Sequence, residues 1–296
     1  MQILAIDIGG TKIKCDLYNE FGYCLNKYSE YSTEINMFLK TNNISEQVLN
    51  IVDLYTDSVN VDGVAIATAG VVDSITGRIL YSGYTIPQYT GTDLCRTINN
   101  KYPQIPVAVE NDVNCAALGE KWLGVAKDVS NFALITVGTG IGGAIVLNGQ
   151  LLRGFSNTAG EVGYIPIGDS DWQSQASTTS LLQSYSDKCN KTILSGYEFF
   201  ADIAADKKAA KECLHVFIVN LVKGLLCISY ICNPEMLVLG GGIMENKLLL
   251  PLIQAEFSKR VVDYKLFSPK KIVAAELGNS AGRLGAVYNF LCRRPN

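Results

Sequence analysis

The feature that most constrains this chain is one short design used twice. Ile3-Leu4-Ala5-Ile6-Asp7-Ile8 is an apolar run that ends at Gly9-Gly10, after which Ile13, Cys15 and Leu17 alternate with Lys12, Lys14 and Asp16. An apolar run, a glycine pair and period-two alternation predict a β-hairpin. Phe132-Ala133-Leu134-Ile135-Thr136-Val137 repeats the design one domain-length later, with a glycine turn over Gly138 to Gly143 and a strand leaving over Ala144 to Leu147. Two such units in 296 residues, about twice an ordinary domain, predict a duplicated architecture of two related lobes.

The rest alternates between strand and helix. Helical spacing runs over Ile44 to Tyr55, Cys115 to Leu123, Ala209 to Ile231 (closed by Pro234), Leu248 to Val262 and Ala281 to Cys292. Asp62 to Ala67, Pro106 to Val109 and Leu237 to Leu239 read as buried strands. The class is therefore α/β. Hydrophobic residues make up 48% of the chain and charged ones 18%, below the roughly 25% usual for soluble domains. That deficit predicts extensive buried or subunit-interface surface.

The net charge is −3 and the pI about 5.3. Phosphate backbones are bound through concentrated positive charge, so no nucleic-acid partner is expected. The start has no basic region and meets Asp7 after six residues, unlike a signal peptide. Val216 to Cys232 is interrupted by Asn220 and Lys223, is short for a bilayer span, and reads as a buried helix; no membrane association is expected. Nine scattered cysteines without a C-x-C or C-x-x-C pair suit free thiols in the cytoplasm.

Nine of the 27 glycines fall in three clusters, Gly9-Gly10, Gly138/Gly140/Gly142/Gly143 and Gly240 to Gly242, each after an apolar strand. Glycine lets a ligand approach close enough to bond backbone N–H groups, as polyphosphate requires. Thr11 and Thr139 place hydroxyls at matching points of two loops, and Lys12 adds positive charge. Asp7, ending its strand at the turn, is placed to hold a hydrated magnesium ion. Ordinary hairpin turns are the plain alternative; neither the P-loop nor the dinucleotide fingerprint matches after the first strand.

Glu110-Asn111-Asp112-Val113-Asn114 follows a strand and precedes a helix, which puts Asp112 near a helix N-terminus that favours its ionised form. Such a carboxylate can accept a hydroxyl proton as that hydroxyl attacks a γ-phosphate. Simple helix capping is the competing role. Ala159-Gly160-Glu161-Val162-Gly163 follows a polar loop, and Glu161 is either a ligand contact or an exposed loop acid.

Taken together, these motifs resemble the ROK family (repressors, uncharacterised frames and sugar kinases). Asp7 to Lys12 resembles its first phosphate loop, Glu110 to Asn114 its catalytic segment, Gly138 to Gly143 its second phosphate loop, Ala159 to Gly163 its sugar segment and Leu239 to Gly242 its adenosine loop. The resemblance implies an actin/hexokinase-like (ribonuclease H-like) two-lobed fold with a duplicated βαβ core. The expected lobes are 1–114 with 281–296 and 115–280, with sugar and ATP in the cleft between them. It implies Asp112 as general base toward a sugar 6-hydroxyl, and Gly70, Asn111, Asp112, Glu161 and Tyr164 around the sugar. Asp7, Gly9, Gly10, Thr11, Lys12, Gly138, Thr139, Gly140 and Gly241 would hold ATP with Mg2+, and a homodimer is expected.

One departure matters. Tyr164 stands where most family kinases carry histidine, and Asp169 to Ser180 replaces a cysteine-rich zinc loop without any cysteine. No zinc is expected, and Tyr164 or nearby packing must order the sugar loop. His215 lies in a helical pattern far downstream. Ala67 to Asp73, Tyr81 to Thr92 (Tyr84 among them) and Gln175 to Ser180 are similar to zinc-less N-acetylmannosamine kinases of the family, and Ala69 beside Gly70 leaves room for an N-acetyl group. The implied substrate is N-acetyl-D-mannosamine, with glucose or a β-glucoside as alternatives. Other family roles are a non-catalytic sugar-binding regulator and a repressor, although the first phosphate loop begins too early for a helix-turn-helix ahead of it. Lys207-Lys208 with Lys211-Glu212 reads as a solvated helix face, Arg293-Arg294 as a frayed tail, and Trp122 and Trp172 as core or lobe-edge residues.

Overall fold

The computed structural model describes residues 1–83, 85–192 and 195–293. Tyr84 and Arg294, noted above, lie outside the described residues. The chain divides into two compact units: Met1–Lys127 with Arg153–Thr158 and Asn279–Asn296, and Asp128–Leu152 with Ala159–Gly278.

In the first unit, strands Ile3–Ile8 and Lys12–Tyr18 form the expected hairpin, with Ile8 opposite Ile13. A strand not expected from the sequence, Cys24–Ser32, extends it on the outer side. Gly63–Thr68 and then Val107–Asn111 add in parallel on the inner side. The order is Cys24–Ser32, Lys12–Tyr18, Ile3–Ile8, Gly63–Thr68, Val107–Asn111. Its core gathers Ile6, Ile13 and Ile66 of the sheet with Val48 and Val52 of the helix Ile44–Thr56.

The second unit repeats this plan: Gln150–Leu151, Ile141–Leu147, Phe132–Val137, Met236–Gly240, Lys271–Ala274, with the same antiparallel pairs on one side and parallel pairs on the other. The duplicated core is thus present in both sheets. Trp172, Tyr185, Phe199, Phe217 and Phe257, all nearly inaccessible, fill the core beneath the second sheet.

Several expected boundaries shift for physical reasons. The strand expected to end at Val109 runs on to Asn111, because parallel pairing with Ala67 and Thr68 continues through Glu110 and Asn111. The helix after it starts at Asp112, three residues early, because Asn111 caps it. Gly142 and Gly143 pair with Thr136 and Ile135, so the second turn is only Gly138 to Gly140. A lobe boundary after residue 114 would fall inside the helix Asp112–Trp122. That helix packs on Ala281–Cys292 so closely that a Cβ on Gly285 would lie 1.6 Å from the Cys115 carbonyl oxygen, and the first unit extends to Lys127.

The helix Lys208–Cys232 is 25 residues long and, by length and composition, could cross a membrane, against the expectation that its apolar stretch is too short. Leu214, Phe217, Leu221, Leu225 and Ile228 bury one face in the second core, while Val216 and Ile231 are exposed. Asp169 to Ser180 is mostly regular structure: Pro166–Ile167 pairs with Ser170–Asp171, and helices Trp172–Ala176 and Thr178–Cys189 follow.

Candidate functional site

The two hairpin turns are built alike. In the first, Gly9 N–H donates to the Lys12 carbonyl at 3.0 Å, while Thr33 donates its Oγ1 to the Gly9 carbonyl and its N–H to the Thr11 carbonyl. In the second, Gly138 N–H donates to the Gly140 carbonyl at 3.0 Å, and Thr178 N–H donates to the Gly138 carbonyl at 2.9 Å. Loop carbonyls are thereby occupied and turned to protein. Among the described residues, the N–H groups of Gly10, Thr11, Thr139 and Gly140 have no partner. Consecutive spare N–H groups on each turn form a concavity suited to anionic oxygen. Lys12 is half-exposed and pairs with Glu30 on the neighbouring strand. Gly241, at φ +94°, lies beside the second turn: a Cβ there would meet the Val137 carbonyl oxygen at 2.2 Å.

Asp7 ends in the ladder opposite Lys14, and its carboxylate faces the start of the helix Ala281–Cys292, where a Cβ on Gly282 would sit 3.4 Å from Oδ2. Burial raises its pKa above the usual carboxylate range, with Arg283 and Lys14 opposing. Among the described residues it has no hydrogen-bond partner. A poorly solvated acid without a donor fits a hydrated magnesium ion, which takes one or two carboxylates and completes its shell with water and phosphate. No group of three His, Cys, Asp or Glu side chains that could hold a metal occurs among the described residues.

Asn111 is the cap of the Asp112–Trp122 helix: its Oδ1 accepts from Val113 N–H at 2.9 Å and Asn114 N–H at 3.0 Å. Its Nδ2 donates to the Gly70 carbonyl at 3.0 Å and to Asp112 Oδ1 at 3.1 Å. Its amide thus joins two expected sugar residues to the helix start. Asp112 Oδ1 also accepts from Val113 N–H at 2.9 Å. Gly70, at φ +98°, has no room for a side chain, because a Cβ would meet the Tyr81 carbonyl oxygen at 2.7 Å. Asp7, Glu110 and Asp112 all act on one buried thiol: Cys115 is pushed well above its usual pKa by burial first, then by these three charges. The first unit therefore brings Gly70, Asn111 and Asp112 together, with Asp7 acting on the same thiol as Asp112.

The second unit does the same. Gly160, at φ +98°, lies against Gly143, where a Cβ would come 2.6 Å from the carbonyl oxygen, and Val162 packs on Gly143 as well. The sugar segment is thus seated on the strand that leaves the second turn. Desolvation raises the pKa of Glu161, whose side chain still reaches solvent. Tyr164 is 54% exposed. The burial that orders this region belongs instead to Trp172, whose indole N–H donates to the Asn220 carbonyl at 3.1 Å and whose ring leaves no room for a side chain at Gly224. Trp172 N–H also donates to the Ile165 carbonyl at 2.9 Å.

One neighbour of the second turn was not singled out in the sequence. Gln173 Oε1 lies between the second turn and the sugar segment, 2.7 Å and 3.3 Å from Cβ positions built on Gly140 and Gly163. Tyr89 is fully buried, shares a 2.8 Å hydrogen bond with Thr68, and has its pKa raised by burial first and also by the charge of Asp112. Gln173 sits next to a buried aromatic at the start of a five-residue helix, a pattern with no strong period. Arg293, read above as a frayed end, is anchored to Glu110, Asn289 and Ser74. Trp122 stacks on Tyr288 at 5.5 Å, and Trp172 is core. The lysines near residue 208 pair with Asp202, Asp206 and Glu212 at the surface, as expected of a solvated face.

A hairpin turn with spare N–H groups in each of two matching five-stranded sheets is the architecture of the actin/hexokinase-like class. The ROK family model matches residues 3–292, and this chain belongs to that family. It is 32% identical to a β-glucoside kinase of Listeria monocytogenes over 98% of both chains. Among solved structures, a Listeria monocytogenes protein described as a candidate N-acetylmannosamine kinase superimposes with TM-score 0.87 at 29% identity, covering 99% of each chain. A ROK family protein of Streptococcus pneumoniae, solved with sucrose, gives TM-score 0.86 at 30% identity over 99% of this chain and 98% of that one.

Proposed function

We propose that this chain is a sugar kinase that transfers the γ-phosphoryl group of ATP to the 6-hydroxyl of a hexose. The observations that carry the reading are the spare-amide turn present in each unit and, in the first unit, Asp112 held by Asn111 and by the start of its own helix. The turns bind phosphate oxygens, with Thr11, Thr139 and Lys12 adding donors and Gly241 flooring the nucleoside side. Asp112, with its carboxylate oriented by Asn111, accepts the 6-hydroxyl proton as the oxygen attacks phosphorus. Asp7 holds magnesium, which supplies charge neutralisation on the phosphates when bound. Most of the acceleration comes from positioning and from fixed N–H dipoles that need no reorganisation.

Asn111 spends its whole amide on Gly70, Asp112 and the helix start, so its contribution is orientation, and sugar contact requires exchanging one of those bonds. Within the second unit, Glu161 and Gln173 carry a carboxylate and a carboxamide of the kind that bind sugar hydroxyls, and Tyr164 adjoins Glu161. The protein would act in the cytoplasm as a homodimer, in keeping with its low charge fraction.

For the sugar itself, N-acetyl-D-mannosamine is the proposed substrate, supported by the small Ala69 beside Gly70 and by the Listeria structure so described. A β-glucoside is the second reading, favoured by the 32% identical kinase and by Tyr81, which is 54% exposed and whose carbonyl abuts Gly70. Measuring ADP release with N-acetylmannosamine, glucose, N-acetylglucosamine and a β-glucoside separates them. The highest kcat/KM on N-acetylmannosamine supports the first reading. A preference for the glucoside selects the second, and no sugar-dependent ADP release on any of them removes the kinase reading.

A further inference from the structure

Glu110 is 2% exposed and immediately precedes Asn111-Asp112, yet no step above uses it. Its two carboxylate oxygens face opposite ways. Oε1 accepts from Asn111 N–H at 3.0 Å and from Asn114 Nδ2 at 3.0 Å, gripping the segment on both sides of Asp112. Oε2 accepts from Arg153 Nε at 2.8 Å and from Arg293 Nη2 at 3.3 Å. Arg153 Nη2 and Arg293 Nε then meet on Asn289 Oδ1, at 3.3 Å and 3.1 Å, and Arg293 Nη1 donates to the Ser74 carbonyl.

A buried carboxylate with every lone pair engaged by charged or fixed donors has one orientation, and whatever hangs from its other oxygen inherits that orientation. Two guanidinium groups against one carboxylate exceed what neutralisation needs. Arg153 stands where the chain enters the first unit for six residues, Arg153–Thr158, directly before the sugar segment that begins at Ala159. Arg293 stands at the end of the last helix. Neither position is near Glu110 in sequence, and both converge on it.

We infer that Glu110 is a positioning residue for Asp112, and that Arg153 and Arg293 are the clamp that holds it. The inference rests on the kinase reading above, and it adds that the strap ahead of the sugar segment is tied to the orientation of the proton acceptor. Positioning acts on the reacting geometry and leaves the ligand contacts in place. Loosening the clamp therefore lowers kcat and spares both KM values.

The test uses the full chain with Arg153→Ala, Arg153→Lys and Glu110→Gln, compared with wild type on the best sugar of the panel. Arg153 is 31% exposed and Arg293 still reaches Glu110 Oε2 without it, so its variants are expected to fold even if Glu110→Gln does not. Arg153→Ala is expected to lose about 10- to 100-fold in kcat, the cost of a catalytic group displaced by about 1 Å, with KM for sugar and ATP within about threefold of wild type. Arg153→Lys restores part of the loss, because one donor to Oε2 survives, and millimolar guanidinium added to Arg153→Ala does the same. A folded Arg153→Ala with wild-type kcat overturns the inference and leaves the kinase reading standing, as does a loss confined to KM or to thermal stability. A wild-type protein inactive on every sugar overturns both.

Discussion

At the scale of single residues, Asp7 and Asp112 are two acids handled differently. Asp112 is surrounded by donors: Val113 N–H and Asn111 Nδ2 both reach its Oδ1. Asp7 has its pKa raised by burial and is opposed only by the more distant charges of Arg283 and Lys14. Folding tolerates Asp7 protonated and is penalised when it ionises, so stability drops as pH rises from the ordinary carboxylate range through the raised value. A cation bound there reverses that preference, and affinity for magnesium nucleotide falls as pH drops through the same range. Asp7→Asn is therefore expected to raise the melting temperature of the ligand-free protein at pH 7 by roughly 1–3 °C. The same variant loses at least about 10²-fold in kcat/KM for ATP and loses the acid limb that Asp7 imposes. Thermal scans at pH 5 and pH 8, with and without magnesium ATP, check it; a ligand-free variant less stable than wild type would count against this view of Asp7.

At the scale of elements, what was readable depended on whether a segment's reason for existing is local. The two hairpins, the helices at 44 and 281 and the long helix at 208 announce themselves by period, because each buries one regular face. Cys24–Ser32 intersperses its four apolar residues with Asn26, Lys27, Ser29 and Glu30; it is an outer strand held by pairing with Lys12–Tyr18, and no periodicity marks it. Asp169 to Ser180 escaped for another reason. Its helices are short and begin at Asp171 and Ser177 caps, but its stability comes from one side chain, Trp172, inserted against Gly224 on a helix some fifty residues away. Removing that ring leaves a large cavity beside Gly224 and deletes the indole hydrogen bond to the Asn220 carbonyl. Trp172→Ala is expected to cost about 3–5 kcal/mol of stability in the second unit. It also raises KM for sugar more than KM for ATP, because the ring anchors the short helix whose Gln173 lies against Gly163 of the sugar segment. Denaturant melts with activity measured on the surviving folded fraction check it; an unchanged KM for sugar would show that the segment is ordered without the ring.

At the scale of the whole chain, the duplication seen in two glycine turns proves to extend through both five-stranded sheets, strand for strand. Glu110 to Asn114, the two glycine turns and Ala159 to Gly163 stood out as candidates because each is a local string to which a mechanism can be attached. Glu110's partners were not: Arg153 is 43 and Arg293 183 residues away, and no pattern in sequence says that two arginines close on one acid. Gln173 was hidden in the same way, since its meaning comes from the two glycines it lies between. Phosphoryl transfer in this chain turns on proton transfer at one carboxylate, and Asp112→Asn isolates it, since the amide keeps the shape while removing the charge that takes the proton. The most direct measurement follows phosphoryl transfer from magnesium ATP to the preferred hexose by phosphorus NMR, with sugar affinity determined on the same samples by calorimetry. Wild type should yield ADP and a sugar 6-phosphate, and Asp112→Asn should bind sugar within about threefold of wild type while turning over at least about 10²-fold more slowly. An Asp112→Asn protein that forms the 6-phosphate at the wild-type rate would contradict it.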